Sequence, residues 1–278
     1  FFSSRRRHTR FRNVTGVQTC ALPILSGRKS SGVVLPKMNL ILGPWAGTEF
    51  FANYGEGYHS NDARSAVAPG ASPLARARSY EVGVRSKPFG ADGMELIATL
   101  WRLDLKSELV FVGDAGTTEI RGATTREGAE VAARGQVWGQ LYFNGSVTWT
   151  KAEFCNGDAI PLAPEVTAYG ALLLKWPEGL TSQLQATYLG VRSLIEDRSI
   201  KSPVWVDVDL SERYQLPIKL SHGRMEAFLF VQNLFNTKWE QATFAFSSQL
   251  RTEAAAVQDI HFVPGNPRMV MGGLAWYF

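Results

Sequence analysis

The chain ends Arg268-Met-Val-Met-Gly-Gly-Leu-Ala-Trp-Tyr-Phe278, with no charged side chain after Arg268 and an aromatic in last place. Laid out as a strand, Val270, Gly272, Leu274, Trp276 and Phe278 point one way and Met269, Met271, Gly273, Ala275 and Tyr277 the other. Both faces are apolar or small. In water such a strand is a hazard, because its free edge templates pairing with other chains. A membrane barrel has a place for it: the last strand is paired on both sides, and aromatics sit where lipid meets water. A terminal strand docked in a soluble sheet is the competing reading.

Working back from that end, residues 223–239 carry an apolar run that closes on Val231-Gln-Asn233-Leu234-Phe235-Asn236, with Trp239 just beyond. This stretch resembles the end of the penultimate strand in TonB-dependent outer-membrane receptors. The closing Gly273, Trp276 and Phe278 resemble the assembly signal of outer-membrane barrels, with Met271 where a polar residue is usual. The stretch Phe51-Ala-Asn-Tyr-Gly-Glu-Gly-Tyr58 with its polar continuation to Arg64 is similar to the same receptors, as is Leu103 to Glu119. The resemblance covers nearly all of 33–278. It implies an all-β fold, an antiparallel up-and-down transmembrane β-barrel fragment.

The opposite end is basic: Arg5, Arg6, Arg7, Arg10 and Arg12 stand in the first 25 residues with no acid among them. Ser3 to Ile24 resembles a translated sequencing adapter, so residues 1–28 are expected to be an artefactual, disordered segment making no lasting contacts. Residues 29–278 are then the C-terminal part of the receptor barrel, lacking the plug, the TonB box and the first half of the wall. Setting the five arginines aside changes Lys plus Arg from 29 to 24 against 25 acids, so the formal charge passes from +4 to −1. The basicity that suggests nucleic acid belongs to the excluded segment. Cys155 is then the one remaining cysteine, which excludes an internal disulfide and any cysteine-based zinc spacing.

Composition leaves the solvent open. The mean hydropathy is −0.09, and no stretch approaches the roughly 18 apolar residues of a membrane helix. A barrel wall averages to near neutrality because its residues alternate between lipid and lumen. Period two is plain. Val204, Val206, Val208 and Leu210 alternate with Asp207, Asp209 and Arg213, and Phe143, Val147 and Trp149 alternate with Tyr142, Asn144 and Thr148. The spacing predicts strands at 34–43, 48–58, 76–88, 93–113, 121–135, 139–154, 165–176, 180–192, 203–216, 223–235 and 268–278, each paired with its sequence neighbours. The connections alternate short and long, which puts turns on one rim and long loops on the other. The count and the direction of the first strand fit the second half of a barrel of about 22 strands. Val204, Val206, Val208, Leu210, Phe143, Val147 and Trp149 are expected to face lipid, with Asp207, Asp209 and Arg213 on the lumen side. An open half-sheet with free edges at 34–43 and 268–278 should not insert or transport by itself, since unpaired backbone in lipid is costly.

No catalytic constellation stands out, and no cofactor or metal site is expected. The resemblance implies an outer-membrane receptor of a Gram-negative bacterium that takes up a scarce nutrient such as a ferric siderophore, with energy delivered through TonB. A passive porin-like or structural barrel is the alternative. The implied partners are outer-membrane lipid, the TonB–ExbB–ExbD complex through the missing N-terminal part, the barrel assembly machinery through the C-terminal strand, and a small nutrient or metal chelate. Candidate ligand-binding residues lie in the long loops: His59, Asn61, Asp62, Arg64, Asp114, Thr117, Glu119, Trp239, Phe244, Phe246 and Arg251.

Overall fold

The computed structural model describes residues 32–60, 74–90, 93–112, 117–218 and 223–278, with side chains at all of these except 59–60 and 108–121. The expected disordered segment 1–28 lies outside the described residues. The strands are β1 (Lys37–Trp45), β2 (Thr48–Ser60), β3 (Leu74–Ser86), β4 (Glu95–Leu105), β5 (Glu108–Val112), β6 (Thr117–Arg121), β7 (Thr124–Trp138) and β8 (Leu141–Phe154). Beyond them come β9 (Val166–Lys175), β10 (Leu180–Leu189), β11 (Trp205–Gln215), β12 (Arg224–Gln232), β13 (Glu240–Ser248), β14 (Val257–Pro264) and β15 (Met269–Tyr277).

Eleven of them form one antiparallel sheet in the order β1-β2-β3-β4-β7-β8-β9-β10-β11-β12-β15, while β5–β6 and β13–β14 are separate hairpins. The expectation of a strand through 93–113 is corrected: the wall strand stops at Leu105, and Glu108–Val112 turns back on Thr117–Arg121. The apolar alternation runs on through Leu109 and Phe111, so periodicity does not mark where the wall ends. The eleven wall strands still pair in the expected order, β4 with β7 and β12 with β15, each of these two pairs across a loop that carries its own hairpin. Short connections follow β1, β3, β7, β9 and β11, and longer ones follow β2, β4, β8, β10 and β12, so the two kinds occupy opposite rims. β1 and β15 are the sheet edges, and both run toward the short-turn rim.

The ladder registers sort every wall side chain onto one of two faces. One face carries Leu40, Phe50, Val82, Leu100, Val131, Val147, Leu172, Leu184, Val206, Leu229 and Leu274, all of them exposed, Leu100 at 60% and Leu274 at 66%. The other carries Asn53, Glu81, Thr99, Glu130, Asn144, Gln185, Asp209, Arg213 and Glu226. Across that polar face Asn53 donates to Glu81 at 3.0 Å, and Arg213 meets Glu226 at 3.3 Å. Val206, Val208, Leu210, Phe143, Val147 and Trp149 all fall on the apolar face, and Asp207, Asp209 and Arg213 on the polar one. Val204 lies just ahead of β11 and is exposed. A soluble sheet would bury the apolar face; here it is laid bare, as a hydrocarbon solvent requires.

The registers also give the strand tilt. One row runs Leu42, Phe50, Val84, Ala98, Val131, Val147, Ala168, Tyr188, Val206. Counted from the short-turn rim, it crosses β2 at its third residue (Thr48 to Phe50) and β11 at its tenth (Gln215 back to Val206). That is a drift of seven residues in the seven strand steps between them. One residue of rise, about 3.3 Å, per inter-strand spacing of about 4.8 Å corresponds to a tilt of about 35°, within the range of closed barrels.

Two close approaches on the polar face need glycine. A Cβ at Gly128 would lie 2.2 Å from the Trp149 carbonyl and 2.7 Å from the Trp101 ring. At Gly83 it would fall on the Phe51 ring, 2.4 Å away. Each aromatic ring thus occupies the space that a side chain at the glycine would take.

Candidate functional site

The long-loop rim is the structured end of the molecule. The loops after β8 and β10 bind each other through Ala159 N to Glu196 O (2.8 Å), Leu162 N to Ser193 O (2.8 Å) and Glu165 N to Val191 O (3.1 Å). Arg198 reaches across to the Glu153 carboxylate at 2.7 Å and the Gly157 carbonyl at 2.9 Å. Beneath these bonds Phe154 and Ile160 form a small core, flanked by Ala152 and Ala163.

A second knot sits at the Val231–Asn236 stretch. Asn233 is 1% exposed and takes the left-handed conformation, φ 51°. Its amide nitrogen donates to Thr237 O (2.9 Å) and Asn266 O (3.1 Å), and its side-chain oxygen accepts from Thr237 N (2.7 Å). Its backbone N–H donates to Asp209 on β11, and Leu234 N donates to Val208 O. Asn236, also left-handed, accepts from Arg268 N at 3.0 Å. The stretch therefore ties β11, β12 and the start of β15 together where the last loop leaves the wall. Val231 is buried, whereas Phe235 is 69% exposed. Further along the β12–β15 pair, Gly273 lies under the Phe228 ring, and Trp276 and Phe278 stand edge to face at 5.8 Å.

Between the two knots lies a polar and aromatic cluster of which the sequence singles out Trp239 alone as a ligand candidate. Trp205 and Trp239 pair at 4.8 Å between ring centres. Arg192 is buried, bonded through N and Nε to Ser202 Oγ at 3.2 Å. Burial pushes its guanidinium below the usual arginine range, and the Glu240 carboxylate works against that shift. Arg192 Nη2, Trp205 Nε1 and Asp207 Oδ1 are buried with no hydrogen-bond partner among the described residues. A cation beside the Glu240 carboxylate and a pair of indoles thus stand together at this part of the rim, groups of the kind that bind planar or anionic ligands. Only the buried position of Arg192 distinguishes it from the other loop arginines, and that position comes from contacts with Pro164 and Ser202, each distant in sequence.

The sequence candidates divide. Trp239 belongs to this cluster, with Nε1 donating to Asn266 O at 3.3 Å. Phe246 stacks on His261 at 3.9 Å within the β13–β14 hairpin, which also holds Phe244; Arg251 is exposed at its turn. His59 is the last residue but one of β2, opposite Ala75, and Thr117 and Glu119 sit on β6 opposite Val112 and Val110. Asn61, Asp62, Arg64 and Asp114 lie outside the described residues. Among the described residues no group of three His, Cys, Asp or Glu side chains is placed to hold a metal ion.

A family model described as TonB dependent receptor-like, beta-barrel matches residues 3–234, a span that takes in the arginine-rich start. Several solved structures share the fold. Fiu, the ferric-catecholate import receptor of E. coli K12, aligns with TM-score 0.63 and 18% identity over 87% of this chain and 34% of its own. FyuA, the ferric yersiniabactin uptake receptor of Yersinia pestis, gives 0.62 and 16% over 88% and 37%. BauA, the ferric preacinetobactin receptor of Acinetobacter baumannii, gives 0.63 and 17% over 87% and 36%. The chain thus spans about a third of the length of each.

Proposed function

Because this chain belongs to the TonB-dependent receptor β-barrel family, we propose that it forms part of the wall and loop rim of a Gram-negative outer-membrane receptor that takes up a ferric siderophore. The family's fold is a transport receptor's and not an enzyme's. The observation that carries the cargo reading is the rim cluster, where buried Arg192 and the Trp205–Trp239 pair offer donors and flat rings at the mouth of a polar-lined wall. A ferric chelate is bulky, bears charged oxygens and has planar ligand arms, and these groups suit it. Uptake draws on TonB through segments outside this chain, and β15 is the strand read by the assembly machinery.

The test is uptake by the complete receptor in a host deleted for its own ferric-siderophore receptors. Iron-limited growth and accumulation of radiolabelled ferric chelate should be restored, and deleting tonB in the host should abolish both. Trp239→Ala should weaken binding of the accepted chelate by about tenfold, as for loss of a buried stacking partner. Restored growth in the tonB-deleted host, or equal passage of unrelated small solutes, would show a passive pore instead.

A further inference from the structure

The outward face does not end where its apolar residues do. Beyond them on the loop side, alternation keeps charged side chains on the same face: Glu56, Arg78 and Asp104 share one ladder row, and Tyr80, Arg102 and Glu127 the next. They cannot point into the lumen, because they lie two or four residues from Ala52, Val82, Leu100 and Ala129 along their own strands. Glu56 and Asp104 sit lower than the cations they hold, while Glu127, 45% exposed, lies 3.8 Å from Arg102. The Glu56 side chain is 4% exposed, accepts from Tyr54 at 2.6 Å and holds both Arg76 and Arg78, whose side chains are 36% and 45% exposed. Arg102, 52% exposed, rests on Asp104 at 3.0 Å. These pairs occupy only some of the five N–H donors that each guanidinium carries, and Arg76 Nε is buried without a partner among the described residues.

A groove of about 340 Å³ opens at this boundary, with Val82, Leu100 and Trp149 as its apolar side and Tyr80, Arg102 and Glu127 at its polar side. We propose that this groove is a binding site for a phosphorylated lipid of the loop-side leaflet. An acyl chain lies along Val82, Leu100 and Trp149, and the headgroup phosphate takes the outward N–H groups of Arg102 and Arg78. The patch is nearly charge-balanced, so long-range attraction is small. Its selectivity comes from fork-shaped donors aimed at one height, at a water–lipid boundary where such bonds gain strength. The apolar side is what makes a lipid, and not free phosphate, the occupant.

The complete receptor, purified and delipidated in detergent, tests this by native mass spectrometry with diphosphoryl lipid A, its dephosphorylated form, and inorganic phosphate. Diphosphoryl lipid A should bind at one copy per receptor. Dephosphorylated lipid should bind about tenfold or more weakly, as expected for losing charge-assisted bonds, and inorganic phosphate should not compete. Arg78→Gln with Arg102→Gln should reproduce that loss. Arg85→Gln, on the same strand but facing the lumen, should bind as the parent does. Leu100→Trp, which fills the groove and leaves every charge in place, should also lose the lipid, and heat-modifiable migration confirms folding of each variant. Undiminished binding by the double variant, equal binding of dephosphorylated lipid, or competition by phosphate would overturn the assignment.

Discussion

Arginine at Val147 should destabilise the complete barrel by about 2–4 kcal/mol in bilayers, the cost of a cation near the middle of a lipid-facing wall. Val147 lies between Val131 and Ala168 in the apolar row, 52% exposed on the bare face. Arginine at the next residue, Thr148, should change stability by less than about 1 kcal/mol. Thr148 lies on the polar face directly opposite Glu130, which can receive the new guanidinium. Equilibrium unfolding in vesicles reads the contrast, which at about 1.4 kcal/mol per decade amounts to a difference of about fivefold or more in the folding constant. Equal penalties at the two positions would mean that the faces are not lipid and lumen.

The second large effect is expected at Asn233. Asn233→Ala strips Thr237 N–H, Thr237 C=O and Asn266 C=O of a buried partner. It also leaves a left-handed backbone on a residue that resists it. Stranded buried groups cost about 1–3 kcal/mol each when unsolvated, and partial access of water brings the expected total to about 2–4 kcal/mol. Asn233→Asp should not rescue it, because a carboxylate keeps the bond from Thr237 N–H but faces two carbonyls and Asp209 with the wrong charge. Phe235→Ala, in the same stretch but exposed, should stay within about 0.5 kcal/mol. The yield of heat-modifiable, assembled receptor distinguishes the three. A loss at Phe235 as large as at Asn233 would move the role of this stretch from holding the rim together to making contacts outside this chain.

The wall was legible in the sequence because a barrel strand records its two solvents residue by residue. Val206 to Arg213 shows this, with lipid and lumen side chains alternating on one strand. The hairpins were less legible. Glu108–Val112 alternates as a wall strand does, and only its pairing with Thr117–Arg121 shows that it has left the sheet. Of the rim cluster only Trp239 was legible as a candidate. Arg192 and Trp205, at the two ends of one loop, meet Glu240 from another, and each by itself reads as a solvated loop residue or the end of a strand. Register drift is a relation between strands, so no single strand carries it.

The sheet has an odd number of strands, and both its edges run toward the short-turn rim. Two copies standing the same way up in a bilayer can therefore meet edge to edge only with strands parallel. Every seam within the sheet is antiparallel, so no copy offers another the hydrogen-bond geometry that the rest of the wall uses. A ring that keeps that geometry needs a complement with its own odd number of strands, beginning and ending in the opposite direction. Parity thus acts as a recognition rule: it rejects like for like and accepts only a piece of opposite polarity, before any side chain is compared.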